Sequence, residues 1–422
     1  MDWIEKHLAK ENTTVEQIIH LEHQRQAAAQ VTVGNIITSM RLLSTLDWND
    51  FFEKVSLIER LLSNDPAGVY AQMEFASRDR YRHVIERISK RTRTNELDIG
   101  QAVIDLATNA DEHSRAQRHV GYYLIDAGLT QLESKFQYQP PTVERFRRFL
   151  LRHGTATYLG TLSVMTVLIM TLLLYFMYRY GAGWPFLIVT ALLALIPASD
   201  LAITVINWDL THFFPPRLLP RMDTSDGIPD DAATFVVVPT IFLNDSQVHE
   251  LVERLEVHYL ANQDEHTYFG LLSDFPDAAS EETATDSNLL AIAQSGIDAL
   301  NRSHGNERFH LFHRKRQWNP SEQKWMGWER KRGKLEEFNR LLRGAPDTSF
   351  LVRTAKDELL KSIRYVITLD SDTQLPRDVA RKLVGAAIHP LNQPQIDGAT
   401  NRVTRGYGIM QPRVSIALAS AS

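Results

Sequence analysis

The chain of 422 residues has 44% hydrophobic and 23% charged residues, which excludes wholesale disorder and a fibrous protein and suggests two or three folded units. It holds no cysteine, so disulfide scaffolds, zinc–thiolate sites, iron–sulfur clusters and cysteine nucleophiles are all excluded. A net charge of −5 gives no reason to expect a nucleic-acid partner.

Residues 1–150 read as an all-α cytosolic module. Apolar residues recur at three- and four-residue spacing in Ile36, Ile37, Met40 and Leu43, and again in Val84, Ile85 and Ile88. Residues 64–68, NDPAG, form a turn. Up to residue 153 the charges nearly cancel, 20 Lys+Arg against 21 Asp+Glu. The charge-dense segment 73–82, MEFASRDRYR, fits a solvated helix face better than a site, and 118–123, RHVGYY, is left open.

Residues 151–208 read as a transmembrane hairpin. Residues 154–178 carry no charge, and a helix of that length covers about 35 Å, enough for a hydrocarbon core of about 30 Å. A second apolar run covers 185–199 and continues past Asp200; Pro185 suits a first helical turn, and Pro197 is expected to kink or end the helix. Four arginines precede the first span, Arg145, Arg147, Arg148 and Arg152, whereas only Arg179 lies between the spans. By the positive-inside rule both flanking regions face the cytoplasm.

From residue 209 onward strands alternate with helices, the pattern of an α/β layer fold. The expected strands are 235–239, 268–272, 309–313 and 365–369, with helices at 248–260 and 287–301 between them. His310 and His313 are read as lining a strand rather than binding zinc. Asp274 and the Asp370/Asp372 pair follow strand ends, where open parallel sheets bind ligands. Residues 223–298 carry 16 acidic residues against one basic, and 302–343 carry 12 basic against five acidic. Such a basic block suits a nucleoside diphosphate. Two carboxylates at i and i+2 after a buried strand are costly unpaired, and Mg²⁺ or Mn²⁺ shared with a diphosphate offsets that cost.

The order VVVPT, LLSDFPD, RKR, WERKRGKLEEFN and VITLDSD resembles the GT-A (Rossmann-like) fold of processive membrane-bound glycosyltransferases. More closely, residues 328–339 (WERKRGKLEEFN), 367–376 (ITLDSDTQLP) and 408–413 (GIMQPR) resemble bacterial cyclic β-1,2-glucan synthases. The resemblance also takes in 73–82, 118–126, the hairpin and 216–220, nearly the whole chain. It implies an inner-membrane, multi-pass enzyme transferring glucose from UDP-glucose to a growing glucan on a protein-linked primer. It further implies donor contacts from Pro239, Thr240 and Asp274, the last toward the uridine. Arg314, Arg316 and Lys334 would neutralise the diphosphate, and Asp370 and Asp372 would hold the metal. No residue stands out as the general base that an inverting transfer needs. The base is expected beyond Ser422, which makes the chain read as a fragment, with 415–422 as an interrupted strand or loop. Within 373–422, Asp378 and Asp397 are the carboxylates to test. Two other readings stay open, a synthase of a different polysaccharide and a non-catalytic membrane scaffold.

Overall fold

The computed structural model describes residues 14–112, 114–214 and 216–414, and divides into compact units at Ser63/Asn64. The tail 415–422, expected to be an interrupted strand or loop, lies outside the described residues. In the first unit, α1 (Val15–Thr45) starts at a capping box, in which the Thr14 hydroxyl accepts from Gln17 N and the Gln17 side chain accepts from Thr14 N. Ile36, Ile37, Met40 and Leu43 all lie on this helix. It is followed by α2 (Trp48–Val55), capped by Asp47, and α3 (Leu57–Leu62), capped by Ser56.

The second unit opens with a helical layer: α4 (Phe75–Thr92), α5 (Glu96–Thr108), α6 (Arg115–Arg118), α7 (Gly121–Ile125) and α8 (Leu129–Lys135). Ile85 and Ile88 of α4 are buried, as their spacing predicts. A short amphipathic helix, α9 (Thr142–Arg152), then leads into α10 (Gly154–Arg179) and α11 (Trp184–Phe213). Both are long and apolar enough to cross a bilayer, and Leu168, Leu172 and Ile196 on them are exposed rather than packed in a core. Pro197 does not end α11, contrary to one expectation; the helix runs sixteen residues further, to Phe213. Its missing N–H removes one helical bond, while in lipid the neighbouring backbone groups have no partner outside the helix.

The α/β part comprises β1 (Thr234–Ile241), α12 (Asp245–Ala261), β2 (Thr267–Asp274), α13 (Asp286–Ser303), β3 (Phe309–Arg314), β4 (Gln317–Asn319), β5 (Lys324–Met326) and α14 (Arg330–Leu342). These are followed by β6 (Phe350–Arg353), α15 (Asp357–Ser362), β7 (Tyr365–Thr368), α16 (Val379–Ile388), β8 (Gln395–Asp397) and β9 (Arg402–Arg405). The main sheet has the order β6-β3-β2-β1-β7, parallel except for β6. Alternation along β1 builds a core on each face. Val236 and Val238 pack with Leu251, Leu255 and Ile297, while Phe235 and Val237 pack with Phe312, Phe338 and Leu341. These helices and this sheet fit a membrane-anchored α/β domain.

One correction concerns β7. Its apolar run predicts a buried strand, but it forms a sheet edge among the described residues, and Tyr365, Val366 and Ile367 are only half-buried. Among the described residues its single partner is β1, so one edge of the strand is left without a neighbour there.

The segment 73–82 grips the linker that follows the hairpin. Arg80 donates to the carbonyls of Leu218 (with Nη1 at 2.6 Å) and Leu219 (3.1 Å), the Ser77 hydroxyl accepts from Arg221 N at 2.9 Å, and Arg221 Nε donates to Glu74 at 2.7 Å. On the other side Asn392 donates to Pro220 O at 2.8 Å and Met222 N to Gly385 O at 2.9 Å. The linker is therefore held by the helical layer and the α/β part together. Arg80→Met should remove two charge-assisted bonds, about 1.5–3 kcal/mol each before relaxation. Limited proteolysis between 216 and 222 should then quicken at least tenfold, and unchanged cleavage would show that the clamp contributes nothing.

Candidate active site at the strand ends

Parallel pairing places the ends of β1, β2 and β3 at one side of the sheet, with Thr240 opposite Ser273 and Ser273 opposite His313. Pro239 sits inside β1 without loss of a ladder bond. The Val237 carbonyl accepts from Leu369 N toward β7, so Pro239, two residues on, faces the same side beyond the last β7 pairing.

Asp274, the last residue of β2, is buried and shared by two cations. Arg314 donates to it through Nε at 2.8 Å and Nη2 at 2.9 Å, and Lys334 Nζ lies 3.0 Å from Asp274 Oδ2. Lys334 also donates to the Thr240 carbonyl, tying α14 to β1. Burial pulls the Lys334 ammonium down to about 8, against the upward pull of Asp274. Arg314 also reaches the turn into α14, where its Nη1 and Nη2 donate to the carbonyls of Trp328 and Arg330, each at 3.1 Å.

Those two carbonyls bracket a strained turn. Glu329 and Arg330 both have positive φ, 50° and 46°, a pair of left-handed non-glycine residues at the start of α14. Close approach explains two glycines here. A Cβ on Gly333 would meet Trp328 O at 2.1 Å, and one on Gly327 would meet Asp274 Oδ2 at 2.7 Å. The motif WERKRGKLEEFN is thus a turn and helix locked over the end of β2 by Arg314.

Arg316 is also buried, but it points elsewhere. It donates to Pro276 O at 2.7 Å and Asp286 Oδ1 at 3.1 Å, and its guanidinium lies 4.9 Å over the Phe275 ring. The charge segregation of the sequence is therefore resolved into specific buried pairs. Asp286 and Glu337 do not stand out in the sequence; Glu337 accepts from Ser349 and lies 3.8 Å from Arg314. The only signal for them is the excess of opposite charge in the two flanking blocks.

Asp370 and Asp372 lie just past β7 and are both exposed. The desolvation argument for a bridging metal therefore does not apply to them. Asp370 pairs with Lys331 of α14, and Arg254 of α12 donates to Ser371 O at 2.6 Å, so the turn is held from both sides. Among the described residues no three His, Asp or Glu side chains gather as a metal cage. The donor chemistry still fits Mg²⁺ or Mn²⁺, which commonly take one or two carboxylates with the remaining positions from water and substrate phosphate. Lys331, paired with Asp370, and Arg330, 2.9 Å from Asp277, are both half-exposed.

His310 and His313 are buried in β3, and burial pushes both down to about 4. His313 Nδ1 and the Ser273 hydroxyl share a hydrogen bond of 2.8 Å. Asp378, at the start of α16, pairs with Arg381, and Asp397 accepts from the Thr400 hydroxyl at 2.7 Å.

No family model matches the chain. Over its whole length it is 37% identical to the cyclic β-(1,2)-glucan synthase NdvB of Rhizobium meliloti (strain 1021), and it spans 15% of the length of that protein. The chain is therefore related, from end to end, to a cyclic β-(1,2)-glucan synthase.

Proposed function

We propose that the chain forms the sugar-nucleotide side of a glucosyltransferase that moves glucose from UDP-glucose onto a growing β-1,2-glucan. The observation that carries this reading is the convergence of Thr240, Asp274, Lys334, Lys331 and Asp370 at the carboxyl ends of parallel strands. Open α/β sheets bind nucleotides at that edge. Relationship to a glucan synthase supports the choice of sugar chemistry.

Each residue has its own part in this reading. Pro239, Thr240 and Asp274 form the floor that meets the nucleoside. Arg314 and Lys334 hold Asp274 and the strained turn in place. Arg316 anchors the neighbouring loop through Asp286. Lys331, released from Asp370 when donor binds, and Arg330 meet the diphosphate. Asp370 and Asp372 would hold Mg²⁺ or Mn²⁺, which would supply positive charge to offset the negative charge that builds on a departing diphosphate. Topology completes the reading: the hairpin sits in the bacterial inner membrane, and the regions flanking it face the cytoplasm, where sugar nucleotides are made. The glucan or its primer approaches as acceptor.

Asp372→Asn keeps shape and removes one charge. Titration calorimetry of UDP with and without Mn²⁺ should show a metal dependence in the parent chain and a loss of at least tenfold in that dependence in the variant. Unchanged metal-dependent UDP binding would remove Asp372 from the ligand set.

A further inference from the structure

Helix α9 has two faces, and the protein uses only one of them. At about 100° per residue, Glu144, Arg145, Arg148 and Arg152 fall on one side, while Val143, Phe146, Phe149 and Leu150 fall on the other. The polar side is tied down. Arg148 donates to both oxygens of Glu133 on α8, at 2.7 and 2.8 Å, and the Tyr138 hydroxyl donates to Glu144 at 3.3 Å. The apolar side is open: Val143 is 78% exposed, Phe146 63% and Phe149 58%.

Its position says what should cover that face. His153, with φ −111° and ψ 37°, breaks the helix, and α10 begins at the next residue. At the other end of the hairpin, Phe214 follows α11 directly, and the Arg147 guanidinium lies 5.9 Å over its ring. Helix α9 therefore stands beside both the entry and the exit of the hairpin, at one level. Arg145, Arg147 and Arg152 are exposed there, and among the described residues none pairs with a carboxylate.

We propose that α9 lies flat in the headgroup layer of the leaflet where the hairpin begins and ends. Val143, Phe146, Phe149 and Leu150 enter the acyl boundary, and Arg145, Arg147 and Arg152 meet anionic phospholipid headgroups. A helix with an apolar face and arginine flanks gains both from buried area and from the negative surface potential. The Arg148–Glu133 pair then passes that anchorage to the helical layer, setting how the α/β part stands over the membrane. This inference rests on the reading of α10 and α11 as membrane-spanning.

The test uses the absence of cysteine in this chain, so that a single introduced cysteine carries the only spin label. The full chain is placed in vesicles of phosphatidylcholine with about one-third phosphatidylglycerol. Labels at Val143 and Phe146 should be reached by oxygen and shielded from a water-soluble nickel chelate, at a depth of about 5–10 Å. A label at Arg145 should stay accessible to the chelate, and one at Val167 in α10 should report the deep bilayer. Replacing phosphatidylglycerol by phosphatidylcholine should shift the inserted-to-lifted ratio about fivefold for each arginine that loses a headgroup. A deep Val167 with chelate-accessible Val143 and Phe146 overturns the inference and leaves the hairpin reading standing. Shielding of Val143 and Phe146 from both reagents would assign the face to a protein partner and also overturn it. An aqueous Val167 overturns both readings, and a ratio indifferent to lipid charge overturns the headgroup contacts.

Discussion

Asp274→Ala should abolish nucleotide binding and destabilise the α/β part by about 3–5 kcal/mol, because it leaves two buried cations without their shared carboxylate. Arg314 and Lys334 are almost fully buried, so water cannot replace Asp274 as a partner. The strained Glu329–Arg330 turn would also lose its fixed guanidinium, since Arg314 is held against it by Asp274. Denaturant unfolding of detergent-purified protein measures the stability, and calorimetry with UDP measures the site. The combination Asp274→Leu, Arg314→Met and Lys334→Met tests the cause, since replacing a whole buried ionic group by apolar residues is often close to neutral. The triple variant should regain most of the stability and none of the UDP binding. If Asp274→Ala alone costs under about 1 kcal/mol, the cluster is not an interdependent unit.

The same cluster carries a pH signature. Burial lowers Lys334 from its ordinary 10.5 to about 8. Between those values the unfolded chain binds a proton that the folded chain has released, so this group's contribution to stability rises with pH across that window. Lys334→Met should flatten that rise relative to the parent chain, in unfolding midpoints measured from about pH 8 to 10.

Asp65→Ala should be the most damaging change in the helical layer, at about 3–5 kcal/mol. The buried carboxylate accepts from Val69 N, Tyr70 N and Val120 N, each at 3.0 Å, and from His119 Nδ1 at 2.7 Å. His119 Nε2 is 3.1 Å from the Tyr81 hydroxyl, and its ring meets the His389 ring at a centroid distance of 5.2 Å. Removing Asp65 orphans three backbone donors and the imidazole at once, each worth about 1–3 kcal/mol and not additive. Burial alone would raise the Asp65 carboxyl, but the His119 and backbone hydrogen bonds outweigh it and hold the group below its ordinary 3.8. Its contribution is therefore complete above about pH 4 and fades as acid protonates the folded form. His389, lowered chiefly by burial, acts earlier: below pH 6.5 the unfolded chain gains a proton that the folded chain does not. Unfolding midpoints should fall from about pH 6.5 to 5, and less steeply in His389→Leu. Parallel curves for the two proteins would mean that His389 contributes nothing to this fall, leaving it to the other buried histidines, His310 and His313.

The two long apolar helices were legible from residues alone, because a helix fit to cross lipid, where the backbone has no outside partner, must be a long uncharged run in local sequence. The strands of the α/β part were legible for a similar reason: a strand buried on both faces must be apolar along its length. That opposite charges gather after the strands could also be read, from an acidic block, a basic block and carboxylates at strand ends. Pairing could not be read. Asp274, Arg314 and Lys334 stand 40 and 20 residues apart, and only the parallel register with α14 folded back brings them together. The same limit hid the use of residues 73–82, whose charges look like a solvated face until the linker 216–222 is laid against them. It also hid the exposure of Asp370 and Asp372: whether a strand is central or at an edge depends on its neighbours in space, and no local pattern in 365–372 encodes that. Local sequence determined which segments must leave water, and the tertiary structure decided which charges met, because partners in a sheet are chosen across the chain rather than along it.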